Sequence, residues 1–579
     1  MAYTHDQEGH ETYYPLGKLV PTILDELAAN APDRVFGELP LSQIGYESGV
    51  RPITYRKLAN AVNGIAKWII ENLGPGQDFE TISYVGPNDM GHSVVILAAI
   101  KTGHKCLLTS PRYGVVGQVR LMKATGCKNL LLSPLSDTTL PNDLVVEHGD
   151  LRLWTLPPII DLFDIEQDFP YTKSFEEGKN DPMLVLHTSG TTGFPRPIIY
   201  SLEWGAAVGQ QRHPTPMPEY EAIIEEMSTY NKRIVTNLPP FHIGFFLASF
   251  FSPLYTGSII IHLPSTMPPT TKTIAHVAQH VPIDTVTVMP GTVEDIGLDT
   301  NLQDICLKAG IKTICWAGGP VAQHAGSKAA KLFNIFTTIG STEAGAWNTV
   351  RPKVYAGSDP FPFNGMCFHP DDNIEFRDQG DGLYLAFIVR HPDPKRKQPV
   401  FCLFPDENEY DTKDLFRRHS SVGADNIWFF HGRADDMQIF PTGFTWHPSS
   451  AEERVLAEHR DLFEKVLMTV AGPNVVVLVE PSDAFRQQLD QAQQSEDKDA
   501  ANKLRSTILD RIWPTMEDLQ KTGPIVVRFD KSRFIFTDAD RPMPRTAKGT
   551  VQRKLALTQY EDKIQAMKGA PDCETIQRF

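Results

Sequence analysis

Short apolar runs alternate with longer segments of helical period along most of this chain. Near the N-terminus the pattern predicts a strand, a helix and two further strands, at Thr81–Val85, Ser93–Ile100, Lys105–Thr109 and Asn129–Ser133. The same kind of pattern recurs around Arg233–Asn237, Ser258–His262, Asp284–Met289 and Thr313–Trp316. Such alternation is typical of α/β folds with largely parallel sheets. We therefore expect a large N-terminal domain of stacked parallel or mixed sheets with helices.

The pattern changes twice in the second half of the chain. The run Leu383–Arg390, with Tyr410 and the strand before it, predicts a more β-rich subdomain. After His431 the predicted elements are the strands Val475–Glu480, Val526–Phe529 and Arg533–Phe536 and the helices Glu452–His459 and Ala501–Ile512, separated by a solvated helix or loop at Gln487–Asp499. We place a boundary near Arg433–Asp436, which divides the chain into a core, residues 1–433, and a small α+β C-terminal domain, residues 434–579.

Length and charge limit the classes of function. A chain of 579 residues is too long for one hydrophobic core, and its 41% hydrophobic and 22% charged residues are those of an ordinary globular protein. The formal net charge of −15 disfavours nucleic acids and anionic membranes as partners. The sequence has no window of 18 apolar residues, and its N-terminus lacks the pattern of a signal peptide. We expect a cytoplasmic protein.

The cysteines agree with a reducing compartment. There are seven of them, an odd number, and no two have the C-x-x-C spacing; they are Cys106, Cys127, Cys306, Cys315, Cys367, Cys402 and Cys573. A disulfide framework or a zinc site is therefore not expected.

The strongest chemical motif is Leu184–Pro195, which reads LVLHTSGTTGFP. An apolar β-run ends there in six consecutive small or hydroxylated residues, Thr188, Ser189, Gly190, Thr191, Thr192 and Gly193. Glycines allow the backbone to turn its N–H groups toward an anion, and the hydroxyls add donors. The segment is not a Walker loop, because no G-K-S/T follows. It predicts a phosphate-binding loop.

This loop resembles that of the adenylate-forming superfamily, which includes acyl-CoA synthetases, luciferases and the adenylation domains of nonribosomal peptide synthetases. The family loop reads S/T-S-G-S/T-T-G-x-P-K, and Arg196 stands here in the place of its Lys. The positive charge is kept, although Arg donates hydrogen bonds from a planar guanidinium and Lys from a single ammonium.

Further motifs of the family follow in order. Trp316–Pro320 (WAGGP) resembles the turn against the adenine face, which implies contacts from Ala317, Gly318 and Gly319. Thr337–Gly345 (TTIGSTEAG) resembles the Y-G-x-T-E segment, which implies that Thr338 and Thr342 contact the nucleotide or acyl-adenylate and that Glu343 holds Mg²⁺. A hard cation that bridges ATP oxygens prefers such oxygen ligands.

Two motifs of the family lie near the predicted boundary. Tyr410–Leu415 (YDTKDL) resembles Y-R-T-G-D, which implies that Asp414 accepts hydrogen bonds from both ribose hydroxyls; Lys413 replaces the usual Gly. Gly432–Asp436 (GRADD) resembles the hinge motif, with Asp435 as the hinge residue and Arg433 as a possible phosphate contact. The resemblance implies that the C-terminal domain is mobile.

The C-terminal motif departs from the family. Its P-K-T-x-x-G-K segment ends in a Lys that bridges the substrate carboxylate and ATP, whereas Pro544–Lys554 reads PRTAKGTVQRK, with Thr550 at the Lys position. In an extended segment residues i and i+2 share a face and lie about 6.5 Å apart. Lys548 is therefore our candidate, with Arg553 or Lys554 as alternatives. The K-G-T variant resembles fungal-type nonribosomal-peptide-synthetase-like proteins, including the carboxylic acid reductases.

Leu238–Phe246 (LPPFHIGFF) resembles the start of the family's pocket-lining helix. Amino-acid-activating members often place an Asp where His242 stands, and without it a buried ammonium is costly to desolvate. We expect an acid without an α-amino group, first an aryl acid and then a short- or medium-chain acid. The expected pocket residues are His242, Phe245, Phe246, Thr292, Ile339 and Gly340. Alternatively, the two phenylalanines are plain core and His242 is structural.

The resemblance implies an enzyme that uses ATP and Mg²⁺ to convert an acid to an acyl-adenylate, which a phosphopantetheine thiol then captures. The family's carrier motif and a reductase-type dinucleotide loop do not occur in this sequence, so we expect a carrier domain in cis or in trans, with an NADPH-dependent reductase domain downstream. The alternatives are a free-standing acyl- or aryl-CoA synthetase and a nucleotide-binding pseudoenzyme.

Overall fold

The structure is a computed structural model. It describes residues 3–5, 11–13, 17–42, 44–189, 195–224, 229, 232–353, 361–393, 395–419, 426–440, 445–495, 497, 499–522, 527–546 and 549–568. Within these residues the chain folds as mixed α/β, as predicted, with two large sheets, a β-rich region and a smaller C-terminal sheet.

The first large sheet, here called the six-stranded sheet, is built from apolar runs. Its strands lie in the order Pro195–Ser201, Pro182–Ser189, Lys105–Leu107, Thr81–Val85, Asn129–Leu132 and Arg152–Thr155. Neighbouring strands are parallel, except that Pro195–Ser201 pairs antiparallel with Pro182–Ser189. The helix Gly91–Lys101 has no polar face, because all of its residues up to Ile100 are buried between layers.

The second large sheet, here called the seven-stranded sheet, has the order Asn334–Thr337, Thr313–Trp316, Thr285–Val288, Arg233–Thr236, Ile259–Ile261, Val35–Ser42 and Gly45–Thr54. The first six strands run parallel, and the last is antiparallel to its neighbour. Its central strands are buried on both faces, as the apolar runs predict for parallel strands covered by helices.

Helices cover both sheets. Besides Gly91–Lys101, the helices of this part of the chain are Val20–Asn30, Tyr55–Leu73, Gly114–Ala124, Thr139–His148, Phe175–Gly178, Leu202–Gln211, Ile243–Phe246, Ser252–Thr256, Thr271–Ala278, Pro290–Leu298, Thr300–Lys308 and Gln323–Ala329. A π-helical turn, Leu247–Phe251, joins two of them.

The β-rich region is an antiparallel meander with the strands Ile374–Gly380, Leu383–Val389, Glu409–Arg418 and Trp428–Arg433. Its core includes Trp428 stacked on Phe376, with ring centroids 3.7 Å apart. A short helix, Val400–Leu403, and a small sheet of Tyr220–Ala222, Thr349–Pro352 and Cys367–Phe368 join it to the large sheets. Shorter strand pairs are Tyr3–His5 with Glu11–Tyr13, Gly340–Ser341 with Gly345–Ala346, and Gln438–Ile439 with Thr445–Trp446.

The C-terminal part has its own sheet and its own cores. The strands are Phe463–Ala471, Asn474–Pro481 and Phe534–Phe536, and the helices are Ser449–Glu458, Asp483–Gln493, Ala500–Thr522, Arg553–Gln559 and Glu561–Lys568. Separate hydrophobic clusters lie on the two faces of this sheet. No helix of the described residues is long and apolar enough to cross a membrane.

Most of the predicted elements occur within one or two residues of their predicted ends, and three differ. The helix predicted at Glu452–His459 begins three residues earlier, at Ser449. The helix predicted at Ala501–Ile512 continues through Pro514 to Thr522, since the burial of its apolar face, including Met516, offsets the missing hydrogen bond. The strand predicted at Val526–Phe529 is wrong for residues 527–529. The N–H of Phe529 donates instead to Gln520 Oε1 at 2.9 Å, so the apolar run is buried without joining a sheet.

Candidate active site

Four neighbouring parallel strands bring ten of the predicted site residues to one edge of the seven-stranded sheet. Their carboxyl ends lead into the segments 237–242, 289–292, 317–319 and 338–343. Adjacent strands lie about 4.8 Å apart, so these segments line a single crevice. Ligands of open α/β sheets bind outside the carboxyl ends of the strands. Residues that are far apart in the sequence thus come together as the motifs predict.

The turn Ala317–Gly319 presents backbone to this crevice. Gly318 has φ +98°, a left-handed conformation that favours glycine. The indole N–H of Trp316 donates to the Gly319 carbonyl at 3.3 Å, and the N–H of Ala317 donates to the Val288 carbonyl at 3.4 Å. The result is a fixed turn with little side chain, which suits close approach of a flat ring.

Thr342 and Glu343 lie at the tip of a tight hairpin formed by Gly340–Ser341 and Gly345–Ala346. A Cβ on Gly340 would lie 2.2 Å from the Gly345 carbonyl oxygen, so the hairpin requires glycine there. Within the tip, the N–H of Ala344 donates to Ser341 Oγ at 3.0 Å.

Two buried aromatic residues hold this tip. The hydroxyl of Tyr200 donates to the Thr342 carbonyl at 2.7 Å, and the indole N–H of Trp204 donates to the Glu343 carbonyl at 3.1 Å. Both donors are fully buried, and both follow directly on the predicted phosphate loop. The sequence did not indicate the role of Tyr200 and Trp204, because the pattern shows only that these side chains are large and apolar.

Glu343 gives the tip its negative charge. Its side chain is half-buried and makes no ion pair with any residue that the structure describes. Burial raises the pKa of Tyr200 and of Tyr410, and the nearby charge of Glu343 raises both further. Tyr410 therefore brings the predicted ribose-binding segment next to the predicted metal ligand.

The predicted phosphate loop is described only at its two ends. Thr188 and Ser189 are the last residues of a strand, with Thr188 opposite Arg196, so the prediction that these two lie in the loop is wrong for the backbone. Arg196 is exposed. Outside the described residues lie Gly190, Thr191, Thr192 and Gly193, as does the side chain of Ser189.

A stacked pair of rings joins this strand end to the predicted acid pocket. His187 stacks on Phe241 with ring centroids 6.3 Å apart, and its Nε2 accepts a hydrogen bond from the N–H of Ser110 at 3.2 Å. Burial lowers the pKa of His187 to about 4, so the ring is neutral at physiological pH. The phosphate-loop strand and the segment that carries His242 are therefore neighbours.

Asp414 is buried and held by its own turn. Its N–H donates to Thr412 Oγ1 at 3.1 Å, and its Oδ1 lies 3.3 Å from Arg433 Nη1, which also donates to the Thr412 carbonyl at 3.1 Å. Lys413, at the position where the family has Gly, adopts φ +62°. The replacement therefore preserves the left-handed turn instead of altering it. Arg433 is placed against Asp414 and Asp435, where it neutralises the buried carboxylate.

The hinge candidate Asp435 is exposed, in a single 3₁₀ turn, Ala434–Asp436. Just before it, Gly432 has φ +146°, and a Cβ there would lie 2.1 Å from Cε1 of His447. His447 Nε2 donates to the Arg433 carbonyl at 2.8 Å. His447 thus packs against the hinge strand, a role that no motif indicated.

The predicted acid-pocket residues divide into two groups. Phe245 and Phe246 are 2% and 0% exposed and pack edge to face in the main core, which favours the plain-core interpretation of both. His242 caps the short helix that follows, since its Nδ1 accepts the N–H of Gly244 at 3.0 Å. The remaining residues lie at the crevice: Gly340 is exposed, Ile339 is half-buried and Thr292 is buried.

Comparison with known proteins identifies this architecture. A model of the AMP-binding enzyme family matches residues 24–379, more than half of the chain, and a model of the AMP-binding enzyme C-terminal domain matches residues 435–570. The chain belongs to the AMP-binding enzyme family. It is an adenylate-forming, ligase-type enzyme, and enzymes of this family use ATP.

Two curated relatives and one solved structure illustrate the similarity. The carboxylic acid reductase of Neurospora crassa is 28% identical over 95% of this chain and 50% of its own length. The adenylate-forming reductase Nps11 of Serpula lacrymans var. lacrymans is 25% identical over 94% of this chain and 49% of its own. The chain thus spans about half the length of these relatives. The structure of ATP-bound MatB from Rhodopseudomonas palustris superposes with a TM-score of 0.66 at 15% identity, over 94% of this chain and 100% of that one, which shows a shared fold.

The C-terminal motif of this AMP-binding enzyme forms a hairpin. The N–H of Thr546 donates to the Thr550 carbonyl at 2.7 Å, and Arg545 bridges to Val551. Lys548 lies outside the described residues. Gly549 has φ +83°, so the assumption that the segment is extended is wrong at this residue.

Arg553 has a structural role in the C-terminal part. Its Nη2 donates to both carboxylate oxygens of Glu452 at 2.6 and 2.7 Å, and its Nη1 donates to the Met468 carbonyl at 2.7 Å. Its Nε lies 3.5 Å from Asp436 Oδ1. With every nitrogen engaged, Arg553 is a poor substitute for the family's catalytic Lys, whereas Lys554 is exposed.

We predict that Lys413→Gly raises the free energy of unfolding by about 1 kcal/mol, because glycine adopts φ +62° without strain. Denaturant unfolding measures this change. The matched control, Lys413→Ala, keeps the strain and should show no gain. A loss of stability in the glycine variant would contradict the strained turn.

We predict that Arg553→Ala lowers the free energy of unfolding by about 3–5 kcal/mol, because it leaves the buried Glu452 carboxylate unpaired. Lys554→Ala, one residue on and exposed, is the control and should change stability by less than about 0.5 kcal/mol. Thermal unfolding of both variants is the measurement, and equal stabilities would overturn the structural role of Arg553.

Proposed function

We propose that this chain is the adenylation domain of an adenylate-forming reductase. It activates a carboxylic acid with ATP and passes the acyl group to the phosphopantetheine thiol of a carrier domain. The observation that carries the proposal is the tip Thr342–Glu343, held by Tyr200 and Trp204 beside the carboxyl edge of the seven-stranded sheet. Among the described residues its carboxylate has no ion-pair partner, and it lies next to the segments that the family uses for nucleotide binding.

In the first step a carboxylate oxygen of the acid attacks the α-phosphorus of ATP, and the bond to the pyrophosphate oxygen breaks. The acyl-adenylate forms and pyrophosphate leaves. The hydroxyls of Thr188 and Ser189 and the loop residues Gly190, Thr191, Thr192 and Gly193, with Arg196 and Thr342, hold the phosphates and the transferred group in line. Little covalent chemistry is required of the protein.

The carboxylate of Glu343 fits a magnesium ligand, because it is half-exposed, fixed through its backbone and not ion-paired within the described residues. When bound, Mg²⁺ neutralises charge on the phosphate oxygens. The turn Ala317–Gly319 and Thr338 hold the adenine, and Asp414 accepts hydrogen bonds from the ribose. Asp414 is pre-oriented for this role by Thr412 and Arg433.

The acid lies against His242, Thr292, Ile339 and Gly340 and is an aryl acid without an α-amino group. These surroundings favour an acid without an α-amino group, since neither His242 nor Thr292 can compensate the charge of a buried ammonium.

In the second step residues 434–579 pivot about Asp435, remove Lys548 from the reaction centre and open a path for the thiol. The carrier domain, in cis or in trans, supplies that thiol, and an NADPH-dependent reductase domain acts on the thioester. The two reductases among the relatives, each about twice as long as this chain, support a carrier acceptor over coenzyme A.

A pyrophosphate-release screen tests the function. With ATP and Mg²⁺, aryl acids should release pyrophosphate faster than aliphatic acids, and amino acids should be inactive. ATP binding without acid-dependent release would instead indicate a nucleotide-binding pseudoenzyme. Thioester formation on free coenzyme A in preference to a phosphopantetheinylated carrier domain would indicate a CoA synthetase.

We predict that Lys548→Ala lowers the rate of pyrophosphate release at least about 100-fold, because a cation between the carboxylate and the α-phosphate is lost. Transfer from a supplied acyl-adenylate to the thiol should stay within about twofold. Lys521→Ala, at an exposed lysine of the C-terminal part that lies outside the motif, serves as the control of equal charge change. An unaltered rate of release in the Lys548 variant would assign the role to another cation.

We predict that His242→Ala changes the ranking of acids in kcat/KM by about tenfold and leaves the KM for ATP within about twofold, because the imidazole faces the acid and not the nucleotide. The pyrophosphate assay across the acid panel measures both. A variant with the wild-type ranking would make His242 a helix cap alone.

A further inference from the structure

A chain of polar side chains includes Thr292, a residue of the predicted acid pocket. Asn237 Nδ2 lies 2.9 Å from Thr292 Oγ1, Thr292 Oγ1 lies 3.2 Å from Thr271 Oγ1, and Thr271 Oγ1 lies 2.6 Å from Asp295 Oδ2. Thr292 is one of the residues expected at the pocket, whereas Asn237 belongs to no motif.

The contacts of this chain fix the orientation of the Asn237 amide. The hydroxyl of Thr271 donates to Asp295 Oδ2, since a carboxylate only accepts, and the same hydroxyl faces Thr292 Oγ1 as a donor. Asn237 Nδ2 donates to Thr292 Oγ1. Asn237 therefore turns its NH₂ group toward Thr292 and its Oδ1 away from the chain.

This leaves the Asn237 oxygen as an acceptor without a donor. Asn237 is 7% exposed, and its Oδ1 is buried and has no hydrogen-bond partner within the described part of the chain. A buried polar atom with no partner is costly, and such exceptions are frequently explained by a ligand or a functional role.

The position of Asn237 points to the acid as that ligand. It directly follows the strand Arg233–Thr236 at the carboxyl edge of the seven-stranded sheet, between that strand and Thr292. His242 lies five residues further on, and Phe241 stacks on the end of the phosphate-loop strand. The oxygen thus belongs to the wall that carries the predicted acid contacts.

We infer that Asn237 is a specificity-determining residue whose Oδ1 accepts a hydrogen bond from a hydroxyl group of the acid substrate. This inference rests on the proposed function and adds the substituent that the acid carries. A hydroxyl fits, because a neutral amide oxygen satisfies a neutral donor but cannot compensate the charge of a buried ammonium. A site built to bond a hydroxyl rejects the analogue without it, since the acceptor then stays unpaired.

The experiment uses matched sets of acids: benzoate, the three hydroxybenzoates and the three methylbenzoates. Pyrophosphate release with the full chain gives kcat/KM for each. In the wild type one hydroxy isomer should exceed its methyl counterpart by at least about tenfold. Asn237→Leu should reduce that ratio to within about threefold, and Asn237→Asp, which retains an oxygen acceptor, should keep the preference for hydroxyl over methyl.

The control is Asn88→Leu, the same substitution beside the same segment, since Asn88 Nδ2 donates to the Leu238 carbonyl at 3.3 Å. It should keep the wild-type ratio, and thermal unfolding of each variant identifies loss of fold. Wild-type ratios within threefold for all three isomers, or an unchanged ratio in Asn237→Leu, would overturn the inference while leaving adenylation intact.

Absence of pyrophosphate release with every acid would defeat the proposed function. Calorimetric binding of the same acids, with a non-hydrolysable ATP analogue present, then decides the inference without turnover. Tighter binding of a hydroxy acid than of its methyl counterpart in the wild type, but not in Asn237→Leu, supports it. Equal binding contradicts it.

Discussion

Two hydrogen bonds from buried aromatic side chains fix the spacing between the two parts of the molecule that are proposed to face the phosphates. Tyr200 and Trp204 follow the predicted phosphate loop in the sequence, yet they donate to the carbonyls of Thr342 and Glu343. Because both rings are buried, water cannot replace either bond, and loss of a donor would leave a carbonyl unsatisfied. The segment that follows the predicted phosphate loop and the tip that carries Glu343 are therefore held together, and the parallel strands bring the predicted adenine turn and the predicted acid pocket to the same edge.

The parts of the site that the sequence predicts best are those in which a backbone conformation demands particular residues. Gly318 has a positive φ, and Gly340 has no room for a Cβ. Both can be recognised in the sequence as parts of motifs, because no other residue fits these positions. The alternation of apolar runs likewise predicted the two large sheets. Lys413 shows the limit of this reasoning, since a left-handed turn persists there with a side chain that the motif does not contain.

The sequence could not supply what depends on long-range partners. Arg553 and Lys554 are adjacent and alike in charge, but only the fold places Glu452 against the first of them. The backbone of Gly549 decides whether residues 548 and 550 share a face, and the extended interpretation failed there. Asn237 carries no local signal at all, because its amide is oriented by Thr292, which lies 55 positions further along the chain.

The proposed pivot would leave some ion pairs of this molecule intact and would break others. Arg553, Glu452 and Asp436 all follow Asp435 in the chain, so their contacts move together and carry the end of the C-terminal hairpin with the hinge. Arg460 instead reaches across to Glu294 of the core and would have to release it. That release is feasible because Arg460 is half-exposed and readily hydrated, while Glu294 keeps the hydrogen bond that its Oε1 accepts from the N–H of Ala322 at 2.8 Å. The Arg553–Glu452 pair, which lies within the C-terminal part, is therefore better shielded than the Arg460–Glu294 pair, as a unit that rotates with its own contacts intact requires.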